Sequence, residues 1–387
     1  MGQKIVSPGV DASHHAAMDN RNLLMIRIRQ ARPFFIRRTA LIACLLLFLQ
    51  GCGGGGSSGS ASLPVPPQPP PSPPLPPPTP PSPSNAQRIA AATATAESSS
   101  NACASIRPFY WEIGDKLTSL ASGSINSTTD STVYKADTPM AIASASKWIY
   151  AAYVAQMRAG PLTIEDIKFL TFRSGYTSFS ACQQGQSVDE CVAFADNGLY
   201  HPATDGMFSY GGGHMEKHAS LIGLGPLHSD ALATEVRAKI GNDIALIYTQ
   251  PQLAGGIFTT ADDYALFLRR LLDNQLRLGS MLGTHAVCTN PATCAQARNT
   301  PVPTTESWNY SLGHWVEVDP MVGDGAFSSA GAFGFYPWID ASKTWYGIVA
   351  RKQVMSGQDP DQSLGEGYRS TMCGRLIRKA WITTLVQ

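Results

Sequence analysis

Little in this sequence points to nucleic-acid, metal or cofactor chemistry. Charged residues are 15% of the 387 and the net charge is +1, so no basic surface for a nucleic acid is signalled. No two cysteines stand two residues apart, which removes the common thiolate zinc spacings. Outside a Gly/Ser tract at 53–60 there is no G-x-S-x-G elbow, and the chain has no phosphate loop. His214 and His218 share an i, i+4 helical face. The acid between them, Glu216, is third in the run, where metalloprotease motifs place it second or fourth. With no third ligand in that run, no metal is expected, and no cofactor either.

What is present begins with a leader. Arg27, Arg29, Arg32, Arg37 and Arg38 precede an apolar run at 40–49 that is too short to span a bilayer comfortably. The run ends Leu49-Gln50-Gly51-Cys52, which resembles a bacterial lipobox. Residues 1–51 are therefore read as a lipoprotein signal peptide, with Met18 and Met25 as alternative starts, and Cys52 as the lipidated residue. An ordinary signal peptide with a stray cysteine is the other reading. Residues 52–86 are a tether: Gly and Ser at 53–60, then about two-thirds proline at 63–84, a composition that cannot pack a core. In extended polyproline II some twenty such residues reach on the order of 60 Å. A docking ligand for a partner is the weaker reading of this tract. Gly53 and Gly54 follow Cys52 with no acidic residue, which by lipoprotein sorting habits places the anchor in the outer membrane of a bacterial cell envelope.

Six cysteines remain beyond Cys44 and Cys52, an even number that in an exported chain reads as disulfides. Cys182 with Cys191 and Cys288 with Cys294 are each close enough to close a small loop. By elimination Cys103 pairs with Cys373, joining the ends of the domain.

The folded domain is expected at 87–387. Residues 87–105 are Ala-rich and partly helical. Residues 109–115 and 116–125 read as strands around a Gly-Asp turn, and 133–136 as a short extended piece. Helix caps stand at Thr163 with Asp166, at Ser187 with Glu190 and at Thr260 with Asp263. Ala265, Leu268, Leu271 and Leu272 recur at helical spacing after the last of these. Strands are expected at 310–318, 330–339 and 345–351. A final helix at 364–385 would bury Tyr368, Met372, Leu376 and Trp381. This order suits α+β: one antiparallel sheet flanked by N- and C-terminal helices, with a mostly helical subdomain inserted between its halves.

The stretch around which the chain is organised is 141–150, which holds the tetrad Ser144-Ala145-Ser146-Lys147 at a helix start. Residues three apart share a face, so the Lys147 amine reaches the Ser144 hydroxyl. A partly desolvated lysine can take that proton, and the helix N-terminus favours a forming alkoxide. Taken alone, the tetrad also reads as a helix cap followed by a surface lysine.

Other pieces follow in order. Ser174-Gly175-Tyr176 closes the segment opened by Leu162 and Thr163, and Gly255-Gly256-Ile257-Phe258-Thr259-Thr260 leads into Ala261-Asp262-Asp263-Tyr264. Tyr310-Ser311-Leu312-Gly313-His314-Trp315 comes later. With Ser144 and Lys147 these resemble the serine β-lactamase and penicillin-binding-protein superfamily, nearest its class C and esterase-like branch, from about Trp111 to the C-terminus. The resemblance implies a β-lactamase/transpeptidase-like fold. It also implies a proton relay in which Tyr210, of Tyr210-Gly211-Gly212, joins Lys147 in activating Ser144. A tyrosine packed in the core is the plainer alternative.

This chain departs from the family's pattern twice. Gly212 replaces the asparagine that helps hold the acyl amide, leaving space for a bulkier or non-amide acyl group. No lysine or histidine leads the third motif, where Ser328 or Ser329 is the nearest candidate. The strand's oxyanion donor is expected near Gly331 or Ala332, beside the N–H of Ser144. The Ser144–Tyr210 separation is short for class C, which implies a trimmed helical subdomain, and a Cys182–Cys191 loop there would stiffen a lid.

The expectation is an exported, lipid-anchored serine hydrolase that cleaves a small-molecule ester or small amide through an acyl-enzyme. It would touch the membrane only through its N-terminal lipid, bind no nucleic acid and act as a monomer. A D-alanyl-D-alanine peptidase or β-lactamase is the second reading. A non-catalytic cell-envelope binding lipoprotein is the third.

Overall fold

The computed structural model describes residues 82–353 and 365–387, within the unit Pro77–Gln387. The expected signal peptide, Cys52 and the tether up to residue 81 lie outside the described residues. The helices are α1 (Asn85–Glu97), α2 (Ser146–Arg158), α3 (Ile164–Leu170), α4 (Val188–Ala193), α5 (Gly213–Ala219), α6 (Ser229–Ile240), α7 (Ala261–Leu272), α8 (Leu278–Met281) and α9 (Gly365–Thr383). The strands are β1 (Phe109–Gly114), β2 (Ser119–Ile125), β3 (Met140–Ala141), β4 (Phe208–Ser209), β5 (Leu246–Tyr248), β6 (Ile257–Thr259), β7 (Val287–Cys288), β8 (Ala297–Asn299), β9 (Asn309–Tyr310), β10 (Trp315–Val316), β11 (Phe327–Ser328), β12 (Tyr336–Ile339) and β13 (Tyr346–Ala350).

The fold is mixed, an antiparallel sheet with helices on it. Its eight strands run in the order β2-β1-β13-β12-β11-β10-β9-β7. The expected β1/β2 hairpin is there, with Phe109 opposite Ile125, and β1 also pairs β13. Strand β1 is buried along its whole length because alternate residues enter two different cores. Phe109, Trp111 and Ile113 point to one face, where they meet Cys103, Cys373, Ile377 and Trp381 of the terminal segments. Tyr110 enters the other core, with Trp148 and Tyr150 of α2 and Tyr264 and Leu268 of α7. Between β2 and β7 the chain leaves the sheet for α2–α8, the small sheet β3-β6-β5 and β4.

Caps set the helix starts. Thr163 with Asp166 and Ser187 with Glu190 form reciprocal capping boxes, and Thr260 accepts from the Asp263 N–H. The three cysteine pairs are within disulfide distance: Cys103–Cys373, Cys182–Cys191 and Cys288–Cys294.

Four local expectations need correction. Residues 133–136 are irregular, and the extended piece ahead of the Ser144 helix is β3. The segment 310–318 is two strands, β9 and β10, folded back on each other. The segment 330–339 begins with a turn at 332–334, so that β11 ends before it and β12 starts after it. In α9 the buried residues include Ser370, Cys373, Gly374, Ile377, Arg378 and Trp381, while Met372 is 41% exposed. The stripe is rotated because Cys373 must face Cys103 and Arg378 must face a buried carboxylate. Arg378 Nη2 donates to Glu317 at 2.9 Å, Arg375 Nε donates to the same oxygen at 2.9 Å, and Tyr336 Oη donates to the other at 2.6 Å. These partners hold the Glu317 carboxyl down at about 2 despite its burial.

Candidate active site

The small sheet delivers Ser144. Strand β3 pairs with β6, and one step further the Ile142 N–H donates to Ile257 O at 3.1 Å. Ala143 then takes φ +45°, a left-handed backbone that residues with a Cβ seldom adopt. The chain makes one 3-10 turn, Ala143–Ala145, and runs into α2. Residues three apart share a face across such a helix entrance. Ser144 Oγ and Lys147 Nζ are accordingly hydrogen-bonded at 2.9 Å.

The stretch 253–264 holds this turn from behind. Lys147 Nζ donates to Ala254 O at 2.7 Å, the Ile257 N–H to Ser146 Oγ at 3.3 Å, and Tyr264 Oη to Ala145 O at 2.9 Å. Lys147 is only 5% exposed. Burial brings its amine down to about 7, and the opposing pull comes from Glu216. A large share of the amine is therefore neutral near pH 7, which is what a base needs.

Tyr210 lies beside them. Its ring stacks on Trp315 at 5.2 Å between centroids, and Lys147 Nζ sits 5.1 Å from its ring centre. Burial pushes the Tyr210 hydroxyl up to about 12, against hydrogen bonding with Ser144 and Trp315 that pulls it down. At neutral pH it is a phenol, able to pass a proton but not to act as the resting base. Of the two, only Lys147 has the protonation state that a resting base needs.

The loop 210–213 is glycine-rich for a reason of space. A Cβ on Gly213 would fall 2.4 Å from Ser178 O and 2.8 Å from Tyr176 O, and one on Gly211 would fall 3.1 Å from Thr177 O. Missing side chains let segment 176–179 lie against the Tyr210 loop. The room expected beside Gly212 is taken: a Cβ there would stand 2.7 Å from the Phe179 ring. Gly212 thus marks a filled wall rather than an enlarged acyl site.

Alternation along β11 separates the third-motif serines. Ser329 Oγ donates to Ser144 O at 3.1 Å, whereas Ser328 is fully buried on the side of Glu317. Gly331 packs under the Ser144 turn, where an added Cβ would stand 2.1 Å from Ile142 O. Its own N–H is spent across the turn on Phe335 O at 2.7 Å, so it is not the oxyanion donor. Ala332 is in the exposed turn itself. The Ser329 N–H donates to Pro337 O of β12 and the Gly331 N–H to Phe335 O just before it, which leaves the Ala330 N–H between them as the candidate to face the other way. Gly331→Ala is expected to push the 142–144 backbone and cut kcat/KM by about 10²-fold, measured beside a melting curve that registers a loss of about 1–3 kcal/mol.

The two histidines are structural. His214 Nε2–H donates to Ser209 O at 2.9 Å, its Nδ1 pairs with Ser174 Oγ at 2.6 Å, and the ring stacks on Phe172. Burial pulls it down to about 4, so it stays neutral beneath the site rather than facing the cleft. His218 bridges Asp166 at 3.0 Å and Tyr150 at 2.8 Å, so all four imidazole nitrogens are occupied. Trp148 is a core residue stacked on His314.

Sequence reasoning missed Glu216 and Phe179. Glu216 stands out in the sequence only as the acid that spoils a zinc motif. Its position opposite the histidines on α5 would normally mark a solvated face, but both faces of this short helix are buried.

No family model matches this sequence, and no curated protein matches it. Solved structures do match in fold. A candidate β-lactamase from Bacteroides dorei DSM 17855 is 20% identical with a TM-score of 0.52, over 70% of this chain and 93% of that one. A D-stereospecific amidohydrolase from Streptomyces sp. is 12% identical with a TM-score of 0.50, over 73% of this chain and 97% of that one. The hydrolase EstCE1, which has promiscuous acyltransferase activity, is 12% identical with a TM-score of 0.50, over 77% and 98%. The chain has the serine β-lactamase/transpeptidase-like fold.

Proposed function

We propose, on the premise of that fold, that the protein is a serine hydrolase that cleaves an ester or small amide through an acyl-enzyme on Ser144. The observation that carries this reading is the 2.9 Å contact between Ser144 Oγ and a buried lysine amine brought down to about 7. Lys147 takes the hydroxyl proton as Oγ attacks the carbonyl carbon. The Ser144 N–H and an N–H at the β11 end, Ala330 by alternation, receive the oxyanion. Tyr210, hydrogen-bonded to Ser144, relays the proton to the leaving group, and water then hydrolyses the ester on Ser144.

A neutral substrate is favoured over a penicillin-like one. Gly212 supplies no side-chain amide, and the third-motif side chain that meets Ser144 is Ser329 rather than a cation for a substrate carboxylate. Export and anchoring through Cys52 belong to this proposal. They rest on the leader sequence, and the three cysteine pairs suit an oxidising compartment. Among the described residues no helix is long and apolar enough to cross a membrane.

The test is turnover on a panel of short acyl esters, anilides and a chromogenic penicillin, with Ser144→Ala in parallel. Ester or anilide hydrolysis lost in Ser144→Ala is the expected result. Turnover of the penicillin alone would favour a β-lactamase, and no turnover anywhere would favour a binding protein.

A further inference from the structure

Within the site so read, one buried charge has no part in the proton relay. Glu216 is fully buried on α5, and its two oxygens accept from consecutive backbone donors: Oε2 from the Leu253 N–H and Oε1 from the Ala254 N–H, each at 2.9 Å. The carbonyl of that same Ala254 accepts from Lys147 Nζ at 2.7 Å, and Nζ contacts Ser144 Oγ at 2.9 Å. A carboxylate, one short backbone stretch, an amine and a hydroxyl form an unbroken line.

We infer that Glu216 is a positioning residue for the lysine: its carboxylate fixes the 253–254 backbone, whose carbonyl holds the amine against Ser144. The inference rests on the reading of Ser144 and Lys147 as nucleophile and base.

Burying a carboxylate is costly unless its oxygens are satisfied, and two neutral N–H donors alone are a weak return for a full charge. The arrangement makes sense when the charge also acts on a neighbour. As Ser144 attacks, Nζ gains a proton in a site almost closed to water, and a carboxylate one peptide away lowers the cost of that ammonium. The groups facing Glu216 are Lys147 and Tyr150 from α2 and Tyr248 from β5. The two phenols are neutral at working pH, and both are pushed well above their usual range, in part by this carboxylate. Lys147 is therefore the partner whose charge Glu216 governs. Burial raises the Glu216 carboxyl to about 7, with the two backbone donors and Lys147 opposing the rise.

A purely structural Glu216 would tie α5 to the 253–254 loop and leave the amine's titration alone. The test is therefore the Lys147 Nζ titration, followed by NMR of the 15N-lysine-labelled protein, in the parent and in Glu216→Gln. It is paired with the rate at which a fluorophosphonate acylates Ser144. In Glu216→Gln the Lys147 midpoint is expected to fall by about one pH unit, and acylation to slow at least about tenfold. An unchanged midpoint overturns the inference. If Glu216→Gln does not fold, Glu216→Asp keeps the charge one methylene short of both donors. It should hold a near-parental midpoint while acylating at least about tenfold more slowly, and parental acylation by that variant overturns the inference. A parent that the fluorophosphonate does not acylate at all refutes the hydrolase reading instead, and the NMR midpoint still decides the coupling.

Discussion

Lys147→Ala is expected to lower kcat/KM on a short acyl ester by between about 10²- and 10⁴-fold, the range typical of a lost general base. Melting temperature should move little in comparison, because the two hydrogen bonds lost with the amine are offset by no longer burying an ionisable group. Lys147→Arg is expected to fail as badly. A guanidinium keeps the positive charge but cannot give up its proton near neutral pH, so it offers no lone pair to Ser144. The parent's pH profile follows from the same group together with Glu216, whose carboxyl also stands at about 7 and which acts in its ionised, higher-pH form. The working form of Lys147 is neutral and its amine titrates at about 7, so kcat/KM should rise with pH through about 7 on its acid limb. Tyr210 titrates at about 12 and leaves the profile flat across the neutral range. A profile falling with pH through that window would mean that the ammonium is the active form, and the base assignment would be wrong.

The largest effect on stability is expected from the bridge between Cys103 and Cys373. It joins the turn after α1 to the middle of α9 across a sequence separation of 270. By the loop-entropy argument, replacing both with alanine should remove about 5 kcal/mol, read as a fall in the urea midpoint at constant m-value. Losing the Cys182–Cys191 bridge, with a separation of 9, should cost about 2–3 kcal/mol by the same argument. A change below about 1 kcal/mol in the first double variant would mean that α1 and α9 are held by their apolar faces alone.

Much of this arrangement is legible in the sequence because the physics involved is local. Capping boxes at Thr163 and Ser187 need only a residue and its third neighbour, and both are found as read. The Ser144–Lys147 contact is likewise a matter of spacing at a helix entrance. The long Cys103–Cys373 pairing is readable by parity and elimination rather than by locality.

What the sequence hides depends on distant partners. Periodicity places Met372 in the core, yet the helix is turned so that Cys373 and Arg378 meet the bridge and Glu317. Gly212 reads as empty space until Phe179 arrives from 33 residues upstream to fill it. Ser328 and Ser329 are interchangeable as letters, and only strand alternation decides that Ser329 meets the backbone of Ser144. Gly331 looks like an oxyanion donor until its N–H is seen to close the turn on Phe335. Glu216 is the extreme case, because its partners are two backbone donors 37 and 38 residues away, which leave no mark in the residue pattern.

The most direct test of the account is the site of covalent modification. The purified protein is treated with a fluorophosphonate, digested, and the adduct located by mass. The account predicts a single adduct on the peptide containing Ser144, formed faster as pH rises through about 7 and absent from Ser144→Ala. An adduct on another residue, or an unmodified Ser144 at pH 8 and above, would contradict it.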